Sequence, residues 1–155
     1  MSDFFLDTSA IVKRYSPEAG SGWIKAITDT IAGHDITLAE ITLAEVAAAF
    51  AAKARAPGGI TIEERDQALA DFLRDCDEHY DLLSISREVI DLAVSLTQRH
   101  KLRGYDAVQL AGALIVNTEL LAEGLPSLTF VSADEDLVDA AEAEGLLTEN
   151  PNLHV

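Results

Sequence analysis

The chain has 155 residues, of which 48% are hydrophobic and 25% charged, so its composition is that of a globular domain and not of a disordered tail. No apolar run approaches the roughly 20 residues that span a bilayer, and the first residues lack the basic start of a signal peptide. The single cysteine, Cys76, excludes an internal disulfide. We therefore expect one soluble, cytoplasmic domain over residues 1–155.

The formal net charge is −16, whereas proteins that bind nucleic acids are usually basic. The charge is unevenly distributed, because all 11 Lys and Arg residues lie at or before Arg103. Residues 104–155 carry ten Asp and Glu residues and no Lys or Arg. We interpret the acidic end as solvated surface, which leaves room for a basic patch in the first two thirds of the chain.

Short apolar runs alternate with helical segments along the chain. The first half predicts, in order, a strand at Phe4–Leu6, a helix that starts near Ser9 and breaks at Pro17, a helix at Ser21–Ile27, a strand at Ile36–Leu38 and a helix at Glu40–Arg55. The second half predicts a helix from the capping box of Thr61 and Glu64 to about His79, a strand at Leu82–Ile85, helices at Ser86–His100 and Tyr105–Asn117, a strand at Leu128–Val131, a helix at Asp134–Glu144 and a strand at Leu146–Leu147. This alternation predicts an α/β fold with a parallel sheet covered on both faces.

Two aspartates follow predicted strands directly. Parallel sheets of this kind bind ligands beyond the carboxyl ends of their strands, where the topology switches. Asp7 and Asp134 each follow an apolar strand and precede a helix, so both are expected at that edge. Simple helix capping is an equally open interpretation of each, since Asp is a favoured N-cap residue.

Two further acids lie in apolar helical segments. Glu45 is the only charged residue between Ile41 and Lys53, and no charge occurs in the nine residues after Asp106. A buried carboxylate must be paired, neutralised or bound to a cation, unless a narrow polar face carries it into water. For Asp106, a favourable position near a helix N-terminus is the alternative.

Other chemistries lack their motifs. The sequence contains no GxxxxGK[ST], no GxGxxG, no GxSxG and no Cys/His pair at zinc spacing, and its four histidines are scattered. Sites built only from carboxylate oxygens suit Mg²⁺ or Mn²⁺, and these ions characteristically act on phosphate esters.

Four segments resemble, in order, the motifs of the PIN-domain family and, within it, of the VapC-type toxins of toxin–antitoxin pairs: Phe5–Lys13, Ile41–Val46, Leu102–Ala111 and Phe130–Asp134. The resemblance covers nearly the whole chain. It implies a three-layer α/β/α fold with a central parallel sheet and a Mg²⁺- or Mn²⁺-dependent endoribonuclease activity. It also implies a cognate antitoxin as partner and a homodimer.

The resemblance assigns roles to residues of this chain. It makes metal-site and catalytic acids of Asp7, Glu45, Asp106 and Asp134, with hydroxyl neighbours in Ser9 and Ser132. Asp136 is either an accessory acid or a surface residue.

Basic residues near these acids in the sequence are candidates for RNA phosphate contacts, or else they balance the local acidic charge: Lys13, Arg14, Arg99, Lys101 and Arg103. Trp23 and Tyr105 are candidates for base stacking, with a core or interface position favoured for Trp23.

Two other functions stay open. A PIN-like domain that keeps its acids for a structural cation would be a protein-interaction module and a weak enzyme at most. A metal-dependent phosphatase of the haloacid dehalogenase type is less favoured, because Asp7-Thr8-Ser9 lacks an aspartate two positions after Asp7.

Overall fold

The computed structural model describes residues 1–155, which form one sheet and seven α-helices. The strands are β1 (Asp3–Leu6), β2 (Asp35–Ala39), β3 (Asp81–Leu83), β4 (Thr129–Val131) and β5 (Leu147–Glu149). The helices are α1 (Thr8–Tyr15), α2 (Ser21–Thr28), α3 (Thr42–Arg55), α4 (Ile62–Glu78), α5 (Arg87–Arg99), α6 (Gly104–Ala122) and α7 (Glu135–Ala143). Short 3₁₀ helices lie at Thr30–Ala32 and Pro151–Leu153. None of the helices combines the length and hydrophobicity that a membrane-spanning segment needs.

All five strands are parallel, in the order β3-β2-β1-β4-β5. Strand β1 lies in the centre, where Phe5 pairs with Thr37 of β2 on one side and with Phe130 of β4 on the other. The chain first builds outwards from β1 to β2 and β3, and then returns to the other side of β1 for β4 and β5. The topology therefore switches between β1 and β4, and loops that leave these two strands diverge there.

Helices cover both faces of the sheet. Adjacent residues of β1 point to opposite faces, so Leu6 packs in a core with α1–α4 and Phe5 packs in a second core with α5–α7. The first core is centred on Leu6, Ile11, Leu38, Phe50, Phe72 and Val131. The second is centred on Phe5, Leu96, Leu110, Phe130 and Leu137. This arrangement confirms the three-layer α/β/α fold with a central parallel sheet.

The predicted elements are all present and differ at their ends. Helix α6 was expected to end at Asn117 but continues to Ala122, because the buried Asn117 side chain accepts a hydrogen bond from the Leu128 backbone N–H at 2.9 Å and does not break the helix. The last strand was expected at Leu146–Leu147 but runs from Leu147 to Glu149, in register with Thr129–Val131. Strand ends thus follow the partner strand, which the local sequence does not reveal.

The capping box at the start of α4 is present as predicted. The Thr61 hydroxyl accepts from the Glu64 backbone N–H at 3.0 Å, and the Glu64 carboxylate accepts from the Thr61 backbone N–H at 3.0 Å.

We expect Thr61→Ala to lower the free energy of unfolding by about 1 kcal/mol, because it leaves helix N–H groups without an acceptor. Urea unfolding measures the loss, and Thr61→Ser should retain most of the stability. Equal stability of the Ala and Ser variants would contradict this role.

Candidate active site

Asp7 leaves the central strand at its carboxyl end and is only 5% exposed. Its backbone N–H donates to Val131 O at 3.1 Å, which joins the ends of β1 and β4. Its side chain caps α1, with Oδ1 accepting from the Ala10 N–H at 3.0 Å and from the Ser9 hydroxyl at 2.7 Å. Oδ2 accepts from the Ser132 hydroxyl at 2.6 Å. Both oxygens of this buried carboxylate are therefore oriented by the protein.

Burial raises the pKa of Asp7 from 3.8 to about 6. The hydrogen bonds from Ser132, Ser9 and Ala10 lower this pKa, and the nearby charge of Asp106 raises it. The effect of burial on this pKa is larger than the combined effect of the three hydrogen bonds. The ionised form of Asp7 therefore has no nearby positive charge that compensates for its burial.

Two serines extend this network to Asp134. Ser132 is fully buried, and its hydroxyl oxygen accepts from the Asp134 N–H at 3.1 Å. The Ser9 hydroxyl oxygen accepts from the Ala133 N–H at 2.9 Å. The loop after β4 is therefore tied to the loop after β1, as expected for two strands at the switch point. The side chain of Asp134 caps α7 through the N–H groups of Asp136 at 2.9 Å and Leu137 at 3.3 Å.

Asp106 and Glu45 lie in the first turns of α6 and α3, and both are half-buried. Burial raises the pKa of Asp106, the charges of Asp134 and Glu45 raise it further, and Arg103 lowers it. Asp106 therefore interacts electrostatically with each of the other three predicted acids. The capping interpretations of Asp7 and Asp134 are correct as geometry, but capping leaves these mutual repulsions unexplained.

A cavity of about 390 Å³ opens beside two of these four acids, and Asp7 and Glu45 are not among its lining residues. It is lined by Asp106, Asp134 and Asp136 and by the basic residues Lys101 and Arg103, together with Thr97, His100 and Leu102. Asp136 is exposed and lies in the first turn of α7. The cavity is therefore lined both by acids, which lie after β4 and at the start of α6, and by the two basic residues that precede α6.

The other predicted basic residues lie elsewhere. Lys13 is buried and pairs with Glu18 at 3.5 Å. Arg14 donates to the Thr28 hydroxyl at 3.0 Å and lines a different cavity. Arg99 pairs with Glu144 at 2.9 Å on the surface of the α5–α7 layer. Only Lys101 and Arg103 share the cavity with the acids.

Tyr105 and Trp23, the predicted stacking residues, have protein partners. The Trp23 ring stacks on His154 at a centroid distance of 4.2 Å and contacts Phe4 near the start of β1, at the opposite end of the sheet. The Tyr105 hydroxyl bonds the hydroxyl of Thr8 and accepts from Gln109 Nε2 at 2.8 Å. Gln109 was not among the predicted site residues. Its spacing of four residues from Tyr105, in an otherwise apolar stretch of helix, could have indicated that the two side chains interact.

The donors present have the chemistry for a hard divalent cation. The acids offer only oxygen ligands, and their charges repel one another. No three Asp, Glu, His or Cys side chains lie close enough together to hold a metal ion directly. Since Mg²⁺ usually keeps several waters and uses one or two carboxylates, the arrangement fits a hydrated ion and does not fit a closed protein cage.

The fold and site define a doubly wound α/β protein with an acidic site at the switch point of its sheet. Residues 4–143 match the model of the PIN domain family, and the chain belongs to this family. PIN domains are generally nucleases. No curated protein sequence matches the chain.

Solved structures of similar fold come from several bacteria. FitAcB from Neisseria gonorrhoeae has a TM-score of 0.60 and 16% identity, covering 98% of this chain and 99% of its own. VapC20 from Mycobacterium tuberculosis, a sarcin–ricin loop cleaving toxin, has a TM-score of 0.60 and 17% identity, covering 93% and 96%. A toxin–antitoxin complex from Klebsiella pneumoniae has a TM-score of 0.55 and 16% identity, covering 95% and 96%. At these identities the similarity establishes the fold.

The raised pKa of Asp7 predicts that the metal-free protein loses stability as the pH rises. Asp7 ionises near 3.8 in the unfolded chain but near 6 in the folded protein, so the folded state binds an extra proton between these values. The stabilisation is present at pH 3.8 and below and is lost as the pH rises through about 6; it amounts to about 3 kcal/mol. Urea unfolding of the wild type and Asp7→Asn, at pH 4.5 and 7 in EDTA, measures the part lost between these two pH values, about 2 kcal/mol, and the variant should lack it.

The difference between the two proteins isolates Asp7 from other carboxyls that titrate in the same range. Asp66→Asn, which changes an exposed carboxylate on α4, is the control and should retain the wild-type pH dependence. Identical pH dependence in the wild type and Asp7→Asn would remove Asp7 as its source.

Proposed function

We propose that this protein is a Mg²⁺- or Mn²⁺-dependent endoribonuclease and the toxin of a toxin–antitoxin pair. The observation that carries the proposal is the electrostatic coupling of Asp106 to Asp7, Glu45 and Asp134, together with the cavity that Asp106 and Asp134 share with Lys101 and Arg103. Repelling acids at the switch point of the sheet favour a cation, and adjacent basic side chains favour a phosphate.

The proposed metal-site and catalytic acids are Asp7, Glu45, Asp106 and Asp134, which would hold a hydrated ion partly through its waters, with Asp136 as an accessory acid. A bound divalent ion would supply a water of lowered pKa and stabilise charge on the scissile phosphodiester. Ser9 and Ser132 hold both oxygens of Asp7 in place, with hydroxyl to carboxylate distances of 2.7 and 2.6 Å. These hydroxyls therefore act on Asp7 and not on the substrate.

Lys101 and Arg103 are the proposed contacts to the RNA backbone. A chain with net charge −16 repels RNA, so binding has to depend on local cations close to the acids. Lys13, Arg14 and Arg99 are weaker candidates, because each has a protein partner away from the cavity.

The proposed partners are an antitoxin, a second copy of this chain and an RNA, in the cytoplasm. The fold shared with the Klebsiella toxin–antitoxin complex and with VapC20 supports an antitoxin and an RNA target. Exposed apolar side chains along α5 and α6, among them Val94 and Leu121, support a homodimer.

The alternative is a protein-interaction module, because acids too far apart to bind one ion directly would leave a PIN-like domain with weak nuclease activity at most. No three acids lie within reach of one metal ion, so the site as folded is wider than a preformed metal centre. Incubation of the purified protein with a labelled sarcin–ricin loop RNA, in Mn²⁺ and in EDTA, separates the two. Mn²⁺-dependent cleavage supports the nuclease, and cleavage of single-stranded DNA at an equal rate would contradict its restriction to RNA.

Asp106→Asn should abolish Mn²⁺-dependent cleavage and change the response of the protein to metal. Neutralising Asp106 removes repulsion from Asp134 and Glu45, so the melting temperature in EDTA should rise. Mn²⁺ at a hundredfold excess over its dissociation constant should stabilise the wild type by about 2.7 kcal/mol, and the variant by much less. Asp35→Asn, at the opposite end of the sheet, is the control. Equal Mn²⁺ shifts in wild type and Asp106→Asn would exclude Asp106 from the metal site.

Arg103→Ala should weaken RNA binding and reduce the slope of log Kd against log salt by about 1, because one phosphate contact releases about one counterion. Mn²⁺ affinity should change little. The matched control is Arg87→Ala, which removes an exposed arginine that pairs with Asp91 on α5. Binding titrations at several salt concentrations measure the slope. A slope equal to that of the wild type would assign Arg103 to charge balance alone.

A further inference from the structure

A second polar network lies beside the acidic site. Tyr105 Oη bonds Thr8 Oγ1, and Gln109 Nε2 donates both to Tyr105 Oη at 2.8 Å and to Thr42 Oγ1 at 2.8 Å. Gln109 and Thr42 are fully buried, and Tyr105 is half-buried. We call these four residues, Thr8, Tyr105, Gln109 and Thr42, the brace.

The brace connects the two helical layers. Thr8 and Thr42 begin α1 and α3, which pack on one face of the sheet, whereas Tyr105 and Gln109 belong to α6 on the other face. Helices on opposite faces meet only past the end of the sheet, so the brace bonds α6 directly to helices that the sheet otherwise separates from it.

Each end of the brace is next to a predicted acid. Thr8 follows Asp7, Tyr105 precedes Asp106, and Thr42 lies one helical turn before Glu45. The charges of Glu45 and Asp7 both act on the Tyr105 hydroxyl, so this hydroxyl lies near both carboxylates. The hydrogen bonds of the brace therefore join the starts of the three helices next to which, or in which, three of the acids lie.

The stability of the fold alone does not explain the brace. The Gln109 amide oxygen is buried and has no hydrogen-bond partner, whereas the amide oxygen of Asn117, the other buried polar residue of α6, accepts from the Leu128 N–H. A buried unpaired acceptor destabilises a fold, and a leucine of similar size avoids that loss. The hydrogen bonds made by Gln109 are therefore better explained by a role in positioning α6 relative to α1 and α3.

We propose that Gln109, Tyr105 and Thr42 are positioning residues that set the separations between Asp7, Glu45 and Asp106 and thereby the affinity for divalent metal. This inference rests on the proposed metal site and adds to it a determinant of its geometry. Removing one hydrogen bond of the brace lets the start of α6 shift relative to α1 and α3, while every carboxylate remains in the protein.

The test compares Gln109→Leu, Tyr105→Phe and Thr42→Val with the wild type. Each should weaken Mn²⁺ binding at least tenfold by isothermal titration calorimetry, as is typical when groups that orient metal ligands are removed. Thr42→Ser keeps the hydroxyl and should retain wild-type affinity. Tyr15→Phe is the matched control, because it removes a tyrosine hydroxyl that bonds Asp75 at 2.7 Å in the α1–α4 layer. It should lower stability without changing Mn²⁺ affinity.

A second readout needs no metal. Hydrogen exchange in EDTA should become faster in the variants at residues 42–46 and 104–108, the first turns that the brace joins. Mn²⁺ affinities within twofold of the wild type, or unchanged exchange in these turns, would overturn the inference while leaving the metal site intact. A wild-type protein that binds no Mn²⁺ would overturn the metal site and the inference together.

Discussion

The acidic site depends on the burial of one carboxylate, Asp7, at the end of the central strand. Strand β1 lies between β2 and β4. Asp7, the residue that follows β1, therefore lies at the point where the loops after β1 and β4 diverge. Two serine hydroxyls and one backbone N–H bind the Asp7 side chain, yet its pKa remains raised. The fold thus accommodates a destabilising charge at this point, and a positive ligand would stabilise it.

Two hydrogen-bond networks connect Asp7 and its neighbour Thr8 to the segments that contain the other acids. The serine network leads through Ser132 to Asp134 on the next strand of the sheet. The brace leads from Thr8, beside Asp7, to the helices that carry Asp106 and Glu45. Repulsion among the acids pushes these elements apart, and the networks oppose it.

The charge distribution separates the acidic site from the rest of the surface. All cations precede residue 104, and most pair with neighbouring acids, as Lys13 does with Glu18 and Arg99 with Glu144. Lys101 and Arg103 remain beside the cavity, and Arg103 lowers the pKa of Asp106. The chain is therefore acidic overall and locally basic at one position, so a polyanion is attracted only over a short distance.

Local sequence patterns were enough to predict the type and order of the strands and α-helices, because apolar periodicity and capping residues such as Thr61 act locally. They also singled out Asp7, Glu45, Asp106 and Asp134, since acids after buried strands or inside apolar helices are conspicuous. The pairing of β5, the burial of Lys13 and the hydrogen bond from Gln109 to Thr42 across 67 residues could not be predicted in this way. These outcomes depend on contacts between segments far apart in the chain, and a local pattern carries no information about such contacts.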